Sequence, residues 1–395
     1  MDADTLRALL GPAGQAALDA ATNLGQADPL VAVESLRRAG VAADLASAAL
    51  TQLELRRRAA AKFGPDADRL YFTRAGLEQA TRAVVAARRA ERIAKAGITA
   101  IADLGCGIGA DSLAFARAGL RVLAVEADPV TAAVAAANAA ALSLTDRLTV
   151  RAGTATEVDL SDVDAVFCDP ARRDQARGRR IFDPDAFSPS WDFVTDLHRR
   201  VPATVLKLAP GIDHALIPAG AEAEWVSVDG DVVEAAIWCG PLAEVPRRAT
   251  VLRGVSVARL SGTGERTAAV APVRDYLFDP DGAVVRSHLV AEFADAVHGT
   301  LADPHIAYVF ADRPAATPLG RCFAVEAHLP YPLKRLRPAL HERGVGQLEI
   351  RKRGVGVEPD QLRRDLRLSG PESRTLVLTR IGTTPTALLC RAVPA

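Results

Sequence analysis

Apolar residues in the first 96 positions recur at steps of three and four: Leu6, Leu9 and Leu10, then Leu30, Val33 and Leu36, then Leu45, Ala49, Leu50 and Leu53. That spacing lines one face of successive helices. Gly11-Pro12, Asp28-Pro29 and Gly64-Pro65 punctuate them, and a longer helix is expected over 77–94. After residue 97 the pattern changes. Short apolar runs at 99–104, 121–125, 148–151, 165–168 and 204–208 alternate with helical stretches at 110–118, 129–142 and 191–201. Such alternation predicts a parallel sheet covered on both faces. Residues 224–228 and 232–239, joined through Asp229-Gly230-Asp231, read as a hairpin. Residues 241–246 read as a linker. Beyond them, 248–395 mix strands and helices as α+β, with a division near residue 318.

Composition narrows the class. A chain of 395 residues, 49 % of them apolar, is long enough for two or three domains with full cores. The formal net charge is zero, so nucleic-acid binding must come from a local patch. Five cysteines, at 106, 168, 239, 322 and 390, show no C-x-x-C spacing, so neither a zinc site nor a disulfide framework is suggested, and no metal is expected. The acidic start lacks a signal-peptide layout. No apolar run approaches the roughly 20 residues that span a bilayer. A soluble, cytoplasmic protein is expected.

The sharpest local signal is Ile101-Ala-Asp-Leu-Gly-Cys-Gly-Ile-Gly-Ala-Asp111, after a strand and before a helix. Gly105, Gly107 and Gly109 allow a sharp turn and a close approach to a ligand, at the strand end where open α/β sheets bind nucleotides. A dinucleotide loop is spaced G-x-G-x-x-G, with pyrophosphate on the helix start. Here the spacing is G-x-G-x-G, behind a carboxylate, Asp103, that suits an ammonium group and would be misplaced against pyrophosphate. Glu126 closes the second strand and can accept from both hydroxyls of a ribose.

On these motifs, residues 98–240 resemble a class I S-adenosylmethionine-dependent methyltransferase domain. The resemblance implies an α/β fold with a Rossmann-like, seven-stranded core and S-adenosyl-L-methionine as cofactor. It assigns the cofactor to Asp103, Gly105, Cys106, Gly107, Gly109, Glu126 and Ala127. The family's third strand ends in an acid that contacts adenine; here Thr154, followed by Ala155, stands near that place. Leu70-Tyr-Phe-Thr resembles the segment with which base-amine methyltransferases cover the methionine end of the cofactor, which assigns Phe72 and Thr73. Thr73 is also suited to cap the next helix.

The fourth strand ends in Phe167-Cys-Asp-Pro-Ala-Arg-Arg173. Methyltransferases of exocyclic amines carry Asp/Asn-Pro-Pro-aromatic there. The side chain and a carbonyl accept from the amine, aiming its lone pair at the methyl group, and proline fixes the backbone. Asp169 and Pro170 match as catalytic residues, and Asp169 also borders the cofactor. Ala171 and Arg172 depart from the pattern. RNA uracil methyltransferases are closer at Asp-Pro-x-Arg but need a cysteine after the fifth strand, where this chain has Lys207-Leu-Ala-Pro-Gly-Ile212. Cys168, inside an apolar strand, reads as an inert thiol.

Residues 172–180 hold five arginines, and Phe182, Phe187 and Trp191 follow, a composition suited to phosphates and base stacking. Residues 334–353 form a second basic patch. Phe323-Ala-Val-Glu, the stretch from Gly346 to Gly354 and Thr375-Leu-Val-Leu-Thr-Arg380 resemble a THUMP-like domain, which implies RNA as partner. The methyltransferase part is also similar to the RNA cap guanine-N2 methyltransferases. The expected organisation is a helical N-terminal region over 1–96, a methyltransferase domain over 97–245, a small α+β, ferredoxin-like unit over 246–318 and a THUMP-like domain over 319–395. The expected activity is methylation of RNA, with a purine exocyclic amine as first choice. A non-catalytic RNA-binding protein with a vestigial pocket and a nicotinamide-dependent oxidoreductase are the alternatives left open.

Overall fold

The computed structural model describes residues 1–25, 28–172 and 187–394. Four helices open the chain: α1 (Ala3–Leu10), α2 (Pro12–Asn23), α3 (Pro29–Arg38) and α4 (Ala43–Phe63). Their starts have local causes. The Asp2 carboxylate accepts from the Thr5 amide at 2.8 Å ahead of α1. Pro12 fills the first turn of α2, where no amide donor is needed.

The long helix expected over 77–94 is instead two helices, α5 (Arg74–Gln79) and α6 (Ala83–Lys95). Lys62 is the reason. Its ammonium donates to the carbonyl oxygens of Leu77, Glu78 and Ala80 at 2.7, 2.7 and 3.1 Å, so the last carbonyls of α5 find a partner outside the helix.

Four parallel strands follow, β1 (Ala100–Leu104), β2 (Arg121–Glu126), β3 (Leu148–Ala152) and β4 (Ala165–Cys168), connected in part by α7 (Ala110–Arg117) and α8 (Pro129–Ala141). Every residue of β1 is buried, as a strand covered on both faces requires. A two-residue strand, β5 (Ala171–Arg172), pairs antiparallel with β6 (Phe187–Ser188). Then α9 (Trp191–Arg200) leads to β7 (Ala203–Leu208), parallel to β4. Next come β8 (Glu222–Val228), β9 (Asp231–Trp238), β10 (Arg247–Arg253) and β11 (Ser256–Gly262). The sheet order is β11-β10-β8-β9-β7-β4-β1-β2-β3. The seven strands expected for the core are therefore extended by two. Residues 241–246, expected as a linker, lead straight into β10, which pairs with β8 because its apolar run Ala249, Val251 and Leu252 is buried.

The remaining elements are β12 (Tyr276–Pro280), α10 (Gly282–Arg286), α11 (Val290–Ala296), β13 (Thr300–Leu301), β14 (Val309–Ala311), β15 (Gly320–Leu329), α12 (Leu333–His341), β16 (Val345–Lys352), α13 (Pro359–Leu366), β17 (Glu372–Ile381) and β18 (Thr384–Ala392). They form a seven-stranded sheet in the order β13-β14-β12-β15-β18-β17-β16. It crosses residue 318, where a division was expected, because β12 pairs antiparallel with β15. Side chains alternate across it. Leu376, Leu378 and Leu389 pack with Leu336 and Leu340 of α12 and Leu366 of α13. Val377, Leu388 and Cys390 pack instead with Leu277, Phe310 and Phe323.

The residues divide into two compact units. One comprises Met1–Leu208, Pro218–Gly220 and Ile237–Ala243; the other comprises Ala209–Ile217, Ala221–Ala236 and Glu244–Ala395. No helix among the described residues is long and apolar enough to cross a membrane.

Within the first unit, α6 is tied to α7 by a buried ion pair that the sequence pattern did not reveal. Arg89 donates to Asp111, with side chains 2 % and 7 % exposed. The Thr81 hydroxyl donates to the same carboxylate at 2.6 Å. Removing one member of such a pair leaves the other charge uncompensated, at a cost of about 3–5 kcal/mol. Asp111→Ala is expected to lower the unfolding free energy by that amount in urea titration. A loss below about 1 kcal/mol would mean that the pair is dispensable.

Candidate functional site

Parallel pairing brings four strand ends together. Asp103 and Leu104 of β1 lie opposite Ala124 and Val125 of β2 and opposite Phe167 and Cys168 of β4, while Cys168 lies opposite Leu206 of β7. Asp103, Glu126, Asp169 and Lys207 therefore collect at one edge of the sheet. This is the carboxyl end of its strands, where α/β sheets bind ligands.

The glycine loop is shaped by those neighbours. Gly105 adopts φ +85°, and a Cβ there would stand 2.9 Å from the Asp169 carbonyl oxygen, so only glycine lets the two loops touch. The Gly105 and Cys106 amides both donate to the Val125 carbonyl, at 2.9 and 3.1 Å. At Gly107, with φ +56°, a Cβ would project into open space, the cradle a ligand needs. Gly109 caps α7 in the left-handed region. The Glu126 carboxylate accepts from the Gly107 amide at 2.9 Å and from the Asp128 amide at 3.0 Å. A carboxylate has about four lone-pair positions, so capacity remains for a diol.

Asp103 is fully buried. One oxygen accepts from the Ser112 hydroxyl, and the other, Oδ1, is buried without any hydrogen-bond partner. An orphaned buried acceptor is costly and points to a missing donor. Burial, then the nearby Asp111 charge, push the Asp103 carboxyl up to about 8.

Asp169 stands beside Pro170, which is buried. Lys207 donates to its Oδ2 at 2.5 Å. Its Oδ1 accepts from no described residue. Burial raises the carboxyl above the usual range, and the Lys207 charge and hydrogen bond pull it partly back. The strand pattern gave no hint of this role for Lys207, which stands one residue before the end of β7. Cys106 and Cys168 are buried, and desolvation pushes both thiols well up, which leaves them poor nucleophiles.

Two buried amides hold the segment ahead of α5. Gln52 of α4 accepts from the Phe72 amide at 3.0 Å and donates to the Phe72 carbonyl at 2.7 Å. Asn138 of α8 accepts from the Tyr71 amide at 2.7 Å and donates to the Tyr71 and Ile108 carbonyls at 3.1 and 3.0 Å. Asn138 thereby joins this segment to the glycine loop. The Phe72 ring is fully buried, edge-on to Phe63 at 5.3 Å. Thr73 caps α5 through the Gly76 amide at 2.9 Å, and a Cβ on Gly76 would stand 2.4 Å from the Ile108 side chain. Past Glu126, Ala127 is exposed. Thr154, exposed, and Ala155 follow the end of β3, where the Gly153 amide donates to the Glu126 carbonyl at 2.9 Å.

The basic patch over 334–353 proves divided. Arg351 and Arg353 both donate to the Asp279 carboxylate, Arg351 also pairs with Glu349, and Lys352 pairs with Glu358. Lys334, Arg335 and Arg337 on α12 have no acidic or carbonyl partner among the described residues, and Lys334 and Arg335 are exposed. Of the arginine loop over 172–180, residues 173–180 lie outside the described residues.

Comparison with known proteins identifies the family. Residues 101–177 match a family described as a methyltransferase domain, residues 320–392 one described as THUMP domain-like, and residues 2–59 one described as a domain of unknown function. Two relatives from Mycobacterium tuberculosis, strains CDC 1551 / Oshkosh and ATCC 25618 / H37Rv, are described as uncharacterized S-adenosylmethionine-dependent methyltransferases. Each is 37 % identical over 352 residues, spanning 85 % of this chain and 94 % of the relative. A solved structure of a candidate methyltransferase from Porphyromonas gingivalis W83 aligns with a TM-score of 0.76 at 20 % identity, over 96 % of this chain and 98 % of that one. That likeness speaks for the fold.

The Asp103 environment gives a pH prediction. With its carboxyl near 8 in the free protein, Asp103 is mostly protonated at pH 7. An ammonium seated at Oδ1 would favour the ionised form, so its binding would expel the proton. Affinity for S-adenosylhomocysteine is expected to rise about tenfold per pH unit from pH 6 to 8 and then level off. Calorimetry at pH 7 in two buffers of different ionisation heat reads the released proton. Asp103→Asn is expected to remove both effects, and a pH-independent wild-type affinity would contradict the assignment.

Proposed function

Because the chain belongs to the class I S-adenosylmethionine-dependent methyltransferases, with a THUMP-like domain in its C-terminal part, we propose that it methylates RNA, with a purine exocyclic amine as the acceptor. The observation that carries the acceptor assignment is Asp169. It ends β4 beside Pro170, one oxygen is held by Lys207, and the other is open to a donor.

In this reading the residues present suit the cofactor. Asp103 receives the ammonium of its methionine part, Glu126 the ribose hydroxyls, and the backbone from Gly105 to Gly109, including Cys106, lines the cradle. Ala127 borders the ribose. Thr154 and Ala155 face the adenine, and the Phe72-Thr73 segment, held by Gln52 at Phe72 and by Asn138 at the preceding Tyr71, closes over the methionine end. When bound, S-adenosylmethionine supplies an electrophilic methyl group on a sulfonium.

Asp169 accepts an N–H of the acceptor amine and turns the nitrogen lone pair toward that methyl group. Lys207 keeps the carboxylate from rotating away. Transfer would form the N–C bond as the sulfur–methyl bond breaks, with S-adenosylhomocysteine as the leaving group; the amine must then shed a proton, and a carboxyl with raised proton affinity is the better receiver. Positioning of this kind supplies much of the acceleration in an in-line displacement.

The match of residues 320–392 to the THUMP domain-like family supports RNA as the substrate class. So does the free basic cluster Lys334, Arg335 and Arg337. The test uses labelled S-adenosylmethionine and total RNA from a strain lacking the protein. Label should enter that RNA, and not RNA from the parent strain. Asp169→Ala is expected to slow transfer by roughly 100-fold or more, with S-adenosylhomocysteine affinity changed less than about threefold. Label appearing only in protein or small molecules would sink the RNA assignment. An unimpaired Asp169→Ala would sink the acceptor assignment.

A further inference from the structure

Within the second unit, three rings stack into a column. Trp225 on β8 is fully buried and donates its indole N–H to the Pro210 carbonyl at 3.0 Å. His214, in the single helical turn after β7, lies on Trp225 with centroids 4.8 Å apart and planes 19° apart. His288 lies on His214 at 3.8 Å and 13°. Exposure grades along the column: Trp225 is buried, His214 half-buried and His288 exposed. Among the described residues no further ring covers the outer face of His288.

The outer ring is held there at a conformational cost. His288 follows α10 with φ +61°, the left-handed region that few side-chain-bearing residues adopt. Two arginines flank the column. Arg286, exposed, reaches the Pro210 carbonyl at 3.3 Å with one of its five N–H groups. Arg247 on β10 lies close enough to depress both imidazoles. Burial first, then His288 and Arg247, push His214 down to about 4, and burial and Arg247 lower His288 as well. Both rings are therefore neutral at pH 7, flat aromatic surfaces beside fixed positive charge. Asp213, next in sequence to His214, turns its carboxylate to the Ala215 amide at 3.0 Å, and Glu265 sits near Arg247.

An exposed, uncharged aromatic face beside guanidinium groups is the combination that holds an unpaired nucleobase and its phosphate. We propose that the Trp225–His214–His288 column is a stacking platform for one unpaired base of single-stranded RNA, with Arg286 and Arg247 meeting the adjoining phosphates. The inference rests on RNA being the partner and adds the element that takes hold of it.

The test measures fluorescence anisotropy of a labelled ten-nucleotide oligoadenylate with the full chain. His288→Ala should weaken binding roughly 5- to 150-fold, the range for one lost base stack. His288→Phe should restore it to within about threefold, because any flat ring serves. Arg286→Ala should weaken binding more at low salt than at high. S-adenosylhomocysteine affinity should stay unchanged in all three. Equal binding by wild type and His288→Ala would overturn the platform and leave the RNA reading standing. A wild type that binds S-adenosylhomocysteine but no oligoadenylate would overturn both. Should His288→Ala fail to fold, adenosine monophosphate titrated into wild type decides. Saturable shifts of the His214 and His288 ring protons are expected, and unmoved resonances would count against the platform.

Discussion

Buried charge balance governs the architecture around the glycine loop. Asp103, Asp111 and Asp169 crowd beneath and beside it, and the Asp111 and Asp169 charges both raise the Asp103 carboxyl. Two cations offset them, Arg89 inside the α6–α7 contact and Lys207 at the end of β7. Those cations meet Asp111 and Asp169, whereas the buried Asp103 accepts, among the described residues, from the Ser112 hydroxyl alone, which leaves its charge poorly compensated. The free protein relieves it by protonating Asp103. On the proposed assignment a cationic ligand would relieve it better, by supplying a donor to Oδ1 and removing the reason for that proton. The same ion pairs that hold α6, α7 and the sheet together thus set the charge around Asp103.

The helical N-terminal part belongs to that arrangement. Gln52 of α4 and Asn138 of α8 grip consecutive residues, Phe72 and Tyr71, through their backbone groups. Both amides are buried, so each bond left unmade would carry the full desolvation cost. Lys62, at the end of α4, meanwhile stops α5 by taking its carbonyls. The segment that approaches Ile108 and the glycine loop is therefore positioned by groups from α4 and α8.

In the C-terminal part, a patch that looks uniformly basic in sequence separates by ion pairing. Arg351 and Arg353 are committed to Asp279, which is buried on β12, and Arg351 also to Glu349. These arginines organise the sheet. Lys334, Arg335 and Arg337 on α12 make no such pairs among the described residues. Sequence distance concealed the distinction, since Asp279 lies more than seventy residues ahead of the arginines it binds.

Much was legible in one dimension because it depends on local chemistry. The strand–helix alternation, the G-x-G-x-G turn, the strand-end carboxylates Asp103, Glu126 and Asp169 and the Thr73 cap follow from periodicity, from glycine's access to positive φ and from side-chain capping. Other features were decided only by the fold. The helix over 77–94 breaks because Lys62 arrives from another helix. The core gains β10 and β11 because an apolar run finds the open edge of β8. Asp169 acquires Lys207, and Asp103 its unpartnered oxygen, through neighbours on adjacent strands. The physical reason is the same in each case. Local propensity acts over a few residues, whereas desolvation and charge pairing depend on which distant groups share a buried space, and only the folded chain sets those distances.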